Sequence, residues 1–282
     1  MNSMQLKRDI AIQGKHKRPI YTDIIIPDGD GPFPIVVFAH GFKGFKDWGH
    51  FNRMAEWWAN QGLAFCKFNF SHNGIDGPGV VELNDLDAFG NNNFSIELDD
   101  LSSLLDWLEQ SAEEFAIDMN RIYLIGHSRG GGLAMLKASE DRRISKVVSW
   151  AGVPDMGRYW MGDLLENWLK DGVQYVKNSR TGQELPLYIQ FYHDYILNKE
   201  RLDLVNRMHL IEQPLLHIHG DADEAVPVEW AYDLKNRHPK TELIILEGEN
   251  HVFGSKHPWE ADEFASGVQE VLRVTLAFLK KE

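Results

Sequence analysis

Short apolar runs that alternate with helix-like stretches constrain this chain more than any other feature of its sequence. Continuous runs of this kind predict strands whose two faces are both covered by helices. They occur at residues 35–39, 64–70, 122–125, 146–151, 215–218 and 243–246. Stretches with helical spacing lie between and after them, at residues 51–60, 96–109, 133–139, 228–237 and 259–279. The alternation predicts an α/β fold with a mostly parallel sheet and helices on both faces.

Two segments near the N-terminus complete the predicted sheet. Residues 5–12 and 19–26 alternate roughly between apolar and polar side chains, which predicts two antiparallel strands. The expected total is therefore about eight strands. Because single α/β domains often reach about 250 residues, the 282 residues are expected to form one domain, 1–282.

One long segment interrupts this rhythm. Residues 156–213, 58 in all, separate two predicted strands and carry no buried-strand signal until their end. Residues 160–169 and 188–208 have helical character, so we predict a small helical insertion. An insertion of this length in an α/β domain is usually functional.

The charge and composition exclude several classes of partner. The net charge of −13 argues against a nucleic-acid-binding protein, which presents a basic surface. The chain has no apolar run of the length that a membrane span needs, and residues 1–12 lack the apolar core of a secretory signal. A single cysteine, Cys66, excludes an intrachain disulfide. We therefore expect a cytoplasmic protein without nucleic-acid or membrane partners; its oligomeric state is left open.

A G-x-S-x-G motif carries the chemistry. Gly126-His127-Ser128-Arg129-Gly130 follows the predicted strand at 122–125 and precedes an apolar helix. A serine on a sharp strand-to-helix turn exposes its Oγ above the carboxyl edge of the sheet. Ser128 is therefore the candidate nucleophile. His127 is expected to point away because of the turn.

A serine hydroxyl needs a base to take its proton, and that base is usually a histidine held by a carboxylate. His251 lies just past the last predicted strand, at the same sheet edge as Ser128. Asp221, Asp223 and Glu224 follow the preceding strand and compete for the carboxylate role.

Two further histidines raise the question of a metal. His217 and His219 share one face of a predicted strand, but no third ligand has suitable spacing. The pattern favours buried structural histidines, and we predict no metal site.

The loop after the third predicted strand is the second part of the site. It reads His40-Gly41-Phe42-Lys43-Gly44. Backbone N–H groups from such a loop and from the residue after the serine, Arg129, can stabilise an oxyanion. Lys43 and Lys46 are favoured as solvated lysines, with steering of an anionic substrate as the alternative.

These motifs together resemble the α/β-hydrolase superfamily. The resemblance rests on G-H-S-R-G, H-G-F-K-G, H-G-D-A-D-E-A-V-P and E-N-H-V-F-G and covers about residues 5–280. Within the superfamily the chain is most similar to the serine esterases of the dienelactone-hydrolase-like and cinnamoyl (feruloyl) esterase-like group. The resemblance implies that Asp223, three residues after Gly220, is the acid and that Phe42 supplies an oxyanion N–H. It also implies a lid at 156–213. Dienelactone hydrolases carry a cysteine where this chain has Ser128.

The expected function is cleavage of a carboxylic ester through an acyl-enzyme, with a small-molecule ester and water as substrates and no cofactor. Aryl or hydroxycinnamoyl esters are candidate substrates. An amidase, an aminopeptidase-like peptidase or a thioesterase would use the same acyl-enzyme and stays open. A non-catalytic binding protein on this fold would typically lack a triad member, whereas Ser128, His251 and Asp223 are all present.

Aromatic side chains of the insertion are candidate substrate contacts. Tyr188, Phe191, Tyr192 and Tyr195 form one stripe at helical spacing. We predict that Phe191, Tyr192 and also Trp160 wall an apolar pocket above Ser128. The alternative is that these rings pack the insertion onto the domain.

Overall fold

An eight-stranded sheet forms the centre of the fold in a computed structural model, which describes residues 4–159 and 163–281. The strands are β1 (Gln5–Gln13), β2 (Pro19–Ile26), β3 (Phe33–Ala39), β4 (Ala64–Phe68), β5 (Ile117–His127), β6 (Ile144–Trp150), β7 (Val173–Lys177), β8 (Glu184–Tyr188), β9 (Leu215–Gly220) and β10 (Glu242–Leu246). The sheet order is β1-β2-β4-β3-β5-β6-β9-β10, and β7 pairs with β8 in a separate antiparallel hairpin.

The direction of the strands matches the prediction. β1 and β2 run antiparallel to each other, and β2 is antiparallel to β4. From β4 to β10 every neighbouring pair in the sheet is parallel. The predicted α/β fold, with a mostly parallel eight-stranded sheet, is therefore confirmed.

Helices cover both faces of the sheet. They are α1 (Phe51–Asn60), α2 (Leu86–Gly90), α3 (Phe94–Gln110), α4 (Arg129–Ala138), α5 (Asp163–Asp171), α6 (Gln190–Leu197), α7 (Lys199–Leu202), α8 (Leu204–Arg207), α9 (Glu229–Arg237) and α10 (Ser266–Leu279), with short 3-10 turns at Met156–Tyr159 and Met208–Leu210. None of the described helices has the length and apolar character that crossing a bilayer requires.

The two faces of the sheet bury two separate cores, which explains the continuous apolar runs. In β3, Val36 and Phe38 belong to the core beneath α1 and α10. Val37 and Ala39 point the other way, into the core beneath α3 and α4. A strand whose successive side chains are all buried has no polar alternation to show.

The insertion contains a hairpin that the sequence prediction missed. Strands β7 and β8 pair from Val173 with Tyr188 to Lys177 with Glu184. Where one helix was expected over 188–208, three short helices, α6 to α8, follow instead. Gln183 Nε2 donates to the Leu83 carbonyl at 2.9 Å, which ties the hairpin to the body of the domain.

The last helix is shorter than predicted. It begins at Ser266 rather than at residue 259. The intervening segment follows Pro258 and is rich in exposed acidic side chains, and Phe264 and Ala265 at its end pack against the core beneath α1 and α10. Trp259 Nε1 donates to the Glu263 carbonyl at 3.0 Å within this irregular segment.

A buried cluster of charges, the lysine–aspartate cluster, holds the loop after β3. Lys46 Nζ lies 2.9 Å from Asp9 Oδ1, 2.9 Å from Asp23 Oδ1 and 2.6 Å from Asp47 Oδ2. Lys67 Nζ lies 2.5 Å from Asp23 Oδ2 and 2.6 Å from Asp47 Oδ1. Burial alone would lower the pKa of Lys46, but the surrounding carboxylates of Asp47, Asp9 and Asp23 raise it. The cluster joins this loop to β1, β2 and β4.

Removing the charge of Asp23 should destabilise the fold. Asp23 is 2% exposed and contacts both lysines, so Asp23→Asn leaves two buried ammonium groups short of a counter-charge. We expect a loss of about 3–5 kcal/mol in the free energy of unfolding, measured by urea denaturation. Asp28→Asn, in an exposed turn, is the control and should change it by no more than about 0.5 kcal/mol. Equal values for the two variants would contradict the role given to the cluster.

Candidate active site

The order of the strands brings four loops to one edge of the sheet. β3 pairs with β5, and Ala39 lies opposite Gly126. β4 lies on one side of β3 and β5 on the other, so the order of the strands reverses at β3. β9 and β10 are also neighbours, with Gly220 opposite Leu246. In open parallel sheets such a reversal of strand order leaves a crevice at the carboxyl edge. The loops that carry the predicted site residues therefore converge there.

Ser128 sits on a strained turn between β5 and α4. Its backbone has φ 56° and ψ −121°, in a region that non-glycine residues rarely adopt. The Ser128 N–H donates to the Trp150 carbonyl at 2.8 Å, and the Ser128 carbonyl accepts from the Gly131 N–H at 2.9 Å. A Cβ on Gly126 would lie 2.0 Å from the Gly130 carbonyl oxygen, so the turn requires glycine there. The predicted sharp strand-to-helix turn at Gly126–Gly130, called the elbow below, is present.

Asp223 and His251 form a direct hydrogen bond. His251 Nδ1 donates to Asp223 Oδ2 at 2.7 Å, while the other carboxylate oxygen accepts from the Ala225 and Val226 N–H groups at 2.8 Å each. Burial alone would raise the pKa of Asp223. Hydrogen bonds from His219, His251 and Val226 instead hold that pKa well below its usual range. The carboxylate therefore stays ionised and fixes the tautomer of His251 with its proton on Nδ1.

The other two acids lie elsewhere. Asp221 is exposed and its Oδ1 accepts from the Gly248 N–H at 2.6 Å. Glu224 is exposed as well. Of the three competing carboxylates, the structure brings Asp223 to His251.

Two buried histidines, His217 and His219, form a hydrogen-bonded pair that ends beside Asp223. His219 Nε2 donates to the Val226 carbonyl at 2.8 Å and lies 3.3 Å from Asp223 Oδ2. His219 Nδ1 accepts from His217 Nε2 at 3.1 Å. These two rings were predicted to be buried, but their link to Asp223 was not. Across residues 4–159 and 163–281, no three His, Cys, Asp or Glu side chains converge as a metal site requires.

His127 does not point away from the site, as its sequence position suggested. Its Nε2 donates to the His251 carbonyl at 2.8 Å, and the two ring centroids are 4.9 Å apart. Burial, reinforced by His251, lowers the pKa of His127 to about 3. A neutral His127 is thus built into the contact between the elbow and the His251 loop. The expectation was wrong because it considered the local turn and not the loop after β10.

The loop after β3 closes against the elbow. A Cβ on Gly41 would lie 2.9 Å from Ser128 Cβ, so this approach needs a glycine. Phe42 follows directly, and Arg129 is the first residue of α4, where backbone N–H groups have no partner within the helix. Asn73 Nδ2 donates to the Gly44 carbonyl at 3.2 Å and Lys46 N–H to Asn69 Oδ1 at 2.7 Å, which fixes the loop.

The Arg129 side chain is buried among aromatic rings. Its guanidinium carbon lies 4.1 Å from the Phe42 ring centroid and 5.0 Å from that of Phe191. Arg129 Nη1 lies 3.4 Å from Glu97 Oε1, and burial raises the pKa of Glu97. The side chain thus connects the loop after β3 to the insertion.

A cleft opens above Ser128. Ser128, His251 and the loop after β3 line one side, and the hairpin turn with Asn178, Ser179 and Arg180 lines another. Phe191 and Tyr192 are not among its lining residues. Phe191 is 3% exposed and packs on Phe94, with ring centroids 4.7 Å apart. The hairpin turn, which sequence reasoning did not single out, thus takes the place expected of these rings. Trp160 lies outside the described residues.

Fold and elbow together define an α/β hydrolase, as the sequence predicted. Residues 50–269 match the prolyl oligopeptidase family. Because this match covers more than half of the chain, the protein belongs to that family.

Known proteins are similar to this chain over more than half of its length. The 2,6-dihydropseudooxynicotine hydrolase of Paenarthrobacter nicotinovorans is 27% identical over 228 residues, which are 81% of this chain and 54% of that protein. An uncharacterized peptidase, YtmA, of Bacillus subtilis is 29% identical over 174 residues, 59% of this chain and 61% of that protein. The chain thus spans little more than half the length of these relatives. Est1E from Butyrivibrio proteoclasticus, solved with ferulic acid bound, superposes with a TM-score of 0.72 at 19% identity, covering 96% of this chain and 98% of Est1E.

Three single substitutions should show which of the three acidic residues orients His251. We expect Asp223→Asn to lower kcat by about 10⁴, because His251 then loses the carboxylate that sets its tautomer. Asp221→Asn and Glu224→Gln are matched controls on the same loop and should retain most of the activity. Steady-state hydrolysis of an activated ester measures all three. A larger loss in Asp221→Asn than in Asp223→Asn would refute the assignment.

Stability should fall as the pH falls below about 6.5, the ordinary histidine pKa. Burial lowers the pKa of His217 to about 3 and that of His40 to about 4. As the pH falls below about 6.5, these histidines therefore bind protons in the unfolded chain but not in the folded chain. The free energy of unfolding is at its full value above about pH 6.5 and decreases as the pH falls toward the lowered pKa values. Urea denaturation between about pH 7.5 and 5.0 should show this slope. His217→Gln should reduce the slope of the unfolding free energy against pH by up to about 1.4 kcal/mol per pH unit. A flat profile in the unchanged protein would contradict it.

Proposed function

We propose that the protein is a serine esterase that cleaves a carboxylic ester through an acyl-enzyme. The observation that carries the proposal is the Asp223–His251 hydrogen bond of 2.7 Å in a cleft that the strained Ser128 also lines. Ser128 is the nucleophile, His251 the base and Asp223 the residue that orients His251. The N–H groups of Phe42 and Arg129 are the oxyanion donors.

The reaction proceeds in two halves. His251 Nε2 takes the proton of Ser128 as its Oγ attacks the ester carbonyl carbon, and the two N–H groups stabilise the oxyanion. The carbon–oxygen bond to the alcohol then breaks, and the alcohol leaves with the proton from His251. Water attacks the acyl-enzyme with its proton going to His251, and the carboxylic acid is released as Ser128 is restored.

The lining of the cleft favours an ester over the substrate of an aminopeptidase. The family match makes peptide-bond cleavage the second candidate. An exopeptidase that binds a free N-terminus needs a carboxylate for the ammonium group. Among the described residues that line the cleft, none is Asp or Glu. The likeness to Est1E, solved with ferulic acid, supports an aryl or hydroxycinnamoyl ester as a substrate class to be tested.

Residues 156–213 are proposed to act as a lid. The hairpin turn at 178–180 lines the cleft opposite the loop after β3. Lys43 Nζ donates to the Lys177 carbonyl at 3.3 Å and so touches the hairpin from that loop. A segment in this position restricts access of substrate and water to Ser128.

Ser128→Ala should abolish turnover without unfolding the protein. We expect kcat to fall by about 10⁴–10⁶ and labelling by a fluorophosphonate probe to disappear, because only an activated serine reacts. Ser103→Ala, on the outer part of α3, is the control and should keep both labelling and activity. More than a tenth of the activity remaining in Ser128→Ala, at equal Tm, would contradict the proposal.

A matched substrate pair tests the leaving group. The kcat/KM of the esterase should be much higher for a para-nitrophenyl ester than for the para-nitroanilide of the same acid, and Ser128→Ala should lose both. Faster cleavage of the anilide would favour the peptidase alternative.

A further inference from the structure

The candidate active-site cleft has a charge opposite to that of the protein as a whole. The chain carries a net charge of −13, with 42 acidic and 29 basic side chains. The described lining of the cleft nevertheless contains two cations, Lys43 and Arg180, and no carboxylate. A local reversal of sign next to a nucleophile suits an anionic group on the substrate.

Lys43 is held at the cleft by a strained backbone. Its φ of 61° lies in the left-handed region, where a lysine is uncommon. It directly follows Phe42, whose N–H is the proposed oxyanion donor. The ammonium donates to the Lys177 carbonyl at 3.3 Å and lies 5.8 Å from the Phe42 ring centroid.

The ammonium of Lys43 is partly desolvated, and no described carboxylate neutralises it. Burial lowers the pKa of Lys43. Within the described part of the chain, no carboxylate oxygen lies within 4 Å of Lys43 Nζ. Lys46, three residues further, shows the opposite case, because three aspartates surround it in the lysine–aspartate cluster. Of the two lysines, Lys43 alone faces the cleft.

Arg180 approaches the cleft from the insertion. It lies on the turn between β7 and β8, where its Nη2 donates to the Val81 carbonyl at 3.4 Å. Its guanidinium carbon is 6.0 Å from the Phe45 ring centroid. No described carboxylate lies within 4 Å of its guanidinium, so this cleft-lining residue keeps an unneutralised charge.

His257 adds a neutral donor to the same lining. Its Nδ1 accepts from the Gly49 N–H at 2.8 Å, which places the ring proton on Nε2. Burial, followed by the nearby Arg180, lowers the pKa of His257. The ring therefore stays neutral and adds no competing acceptor on its Nε2 side.

We propose that Lys43 and Arg180 select esters that carry a carboxylate elsewhere in the molecule. One cation comes from the loop after β3 and the other from the hairpin, so a bound carboxylate bridges the two sides of the cleft. This inference rests on the proposed esterase function and specifies its substrate class.

Two matched substrate pairs test the proposal. Para-nitrophenyl monoadipate against para-nitrophenyl hexanoate places the carboxylate on the acyl side. Para-acetoxybenzoate against its methyl ester places it on the leaving group. The measured quantity is the ratio of kcat/KM for the anionic ester to that for the neutral ester, in the unchanged protein and in Lys43→Gln and Arg180→Gln.

At least one pair should show an anionic-to-neutral ratio that each substitution lowers by about fivefold to tenfold, since a charge-assisted hydrogen bond is lost. Arg180→Lys should restore part of the ratio, and added salt should lower the ratio in the unchanged protein. Lys177→Gln is the control, because it removes the same charge from the same hairpin without lining the cleft. Its ratio should match that of the unchanged protein.

Failure of this inference differs from failure of the esterase proposal. If both ratios stay the same in Lys43→Gln, Arg180→Gln and Lys177→Gln while the esters are cleaved, the cations do not select the substrate. A ratio that falls equally in Lys177→Gln would also overturn the proposal, because only general charge would then matter. If no ester is cleaved and Ser128 is not labelled by a fluorophosphonate, the esterase function itself fails.

Discussion

The left-handed backbone of Ser128 is the constraint on which the site depends. The turn is strained, and neighbouring strands and α4 hold it through backbone hydrogen bonds to Trp150 and Gly131. Its sharpness lifts the side chain above the sheet and starts α4 at Arg129, so one turn presents both a hydroxyl and helix N-terminal N–H groups. The parallel register of β3 beside β5 then brings the Gly41 loop against it.

Burial of polar groups around the turn is tolerated because each charge is compensated. Asp223 exchanges water for three hydrogen-bond donors, two from the backbone and one from His251, and His219 Nε2 lies 3.3 Å from its Oδ2. His127 stays neutral and donates to the His251 carbonyl. Buried polar groups with complete partners rigidify a site, whereas partly paired ones destabilise it. Lys43 and Arg180 stand apart from this pattern, because within the described chain no carboxylate neutralises them.

Much of this arrangement could be predicted from sequence, and the failures have physical causes. Apolar runs and the rule that parallel strands end at one edge were enough to bring the loops of Ser128, Asp223 and His251 together. The β7–β8 hairpin was missed because its strands are short and partly exposed, so their apolar pattern is weak. Arg180 is an exposed side chain in a polar turn, and its place at the cleft comes from long-range docking through Gln183. Lys43 and Lys46 look equivalent in sequence, but in the fold Lys46 pairs with three aspartates whereas Lys43 lines the cleft.

The lysine–aspartate cluster has a consequence for the timing of catalysis. Opening the loop after β3 would separate Lys46 from Asp9 and Asp23, separate Asp47 from Lys67, and break the bond from the Lys46 N–H to Asn69. That loop therefore unfolds with the sheet edge rather than as an independent fluctuating segment. The entropy of ordering Gly41 and Phe42 is lost once, when the chain folds, and not again at each turnover. One wall of the cleft is therefore anchored to the sheet by buried ion pairs, whereas the other wall, the hairpin turn, is joined to the domain by the hydrogen bonds of Gln183 and Lys43.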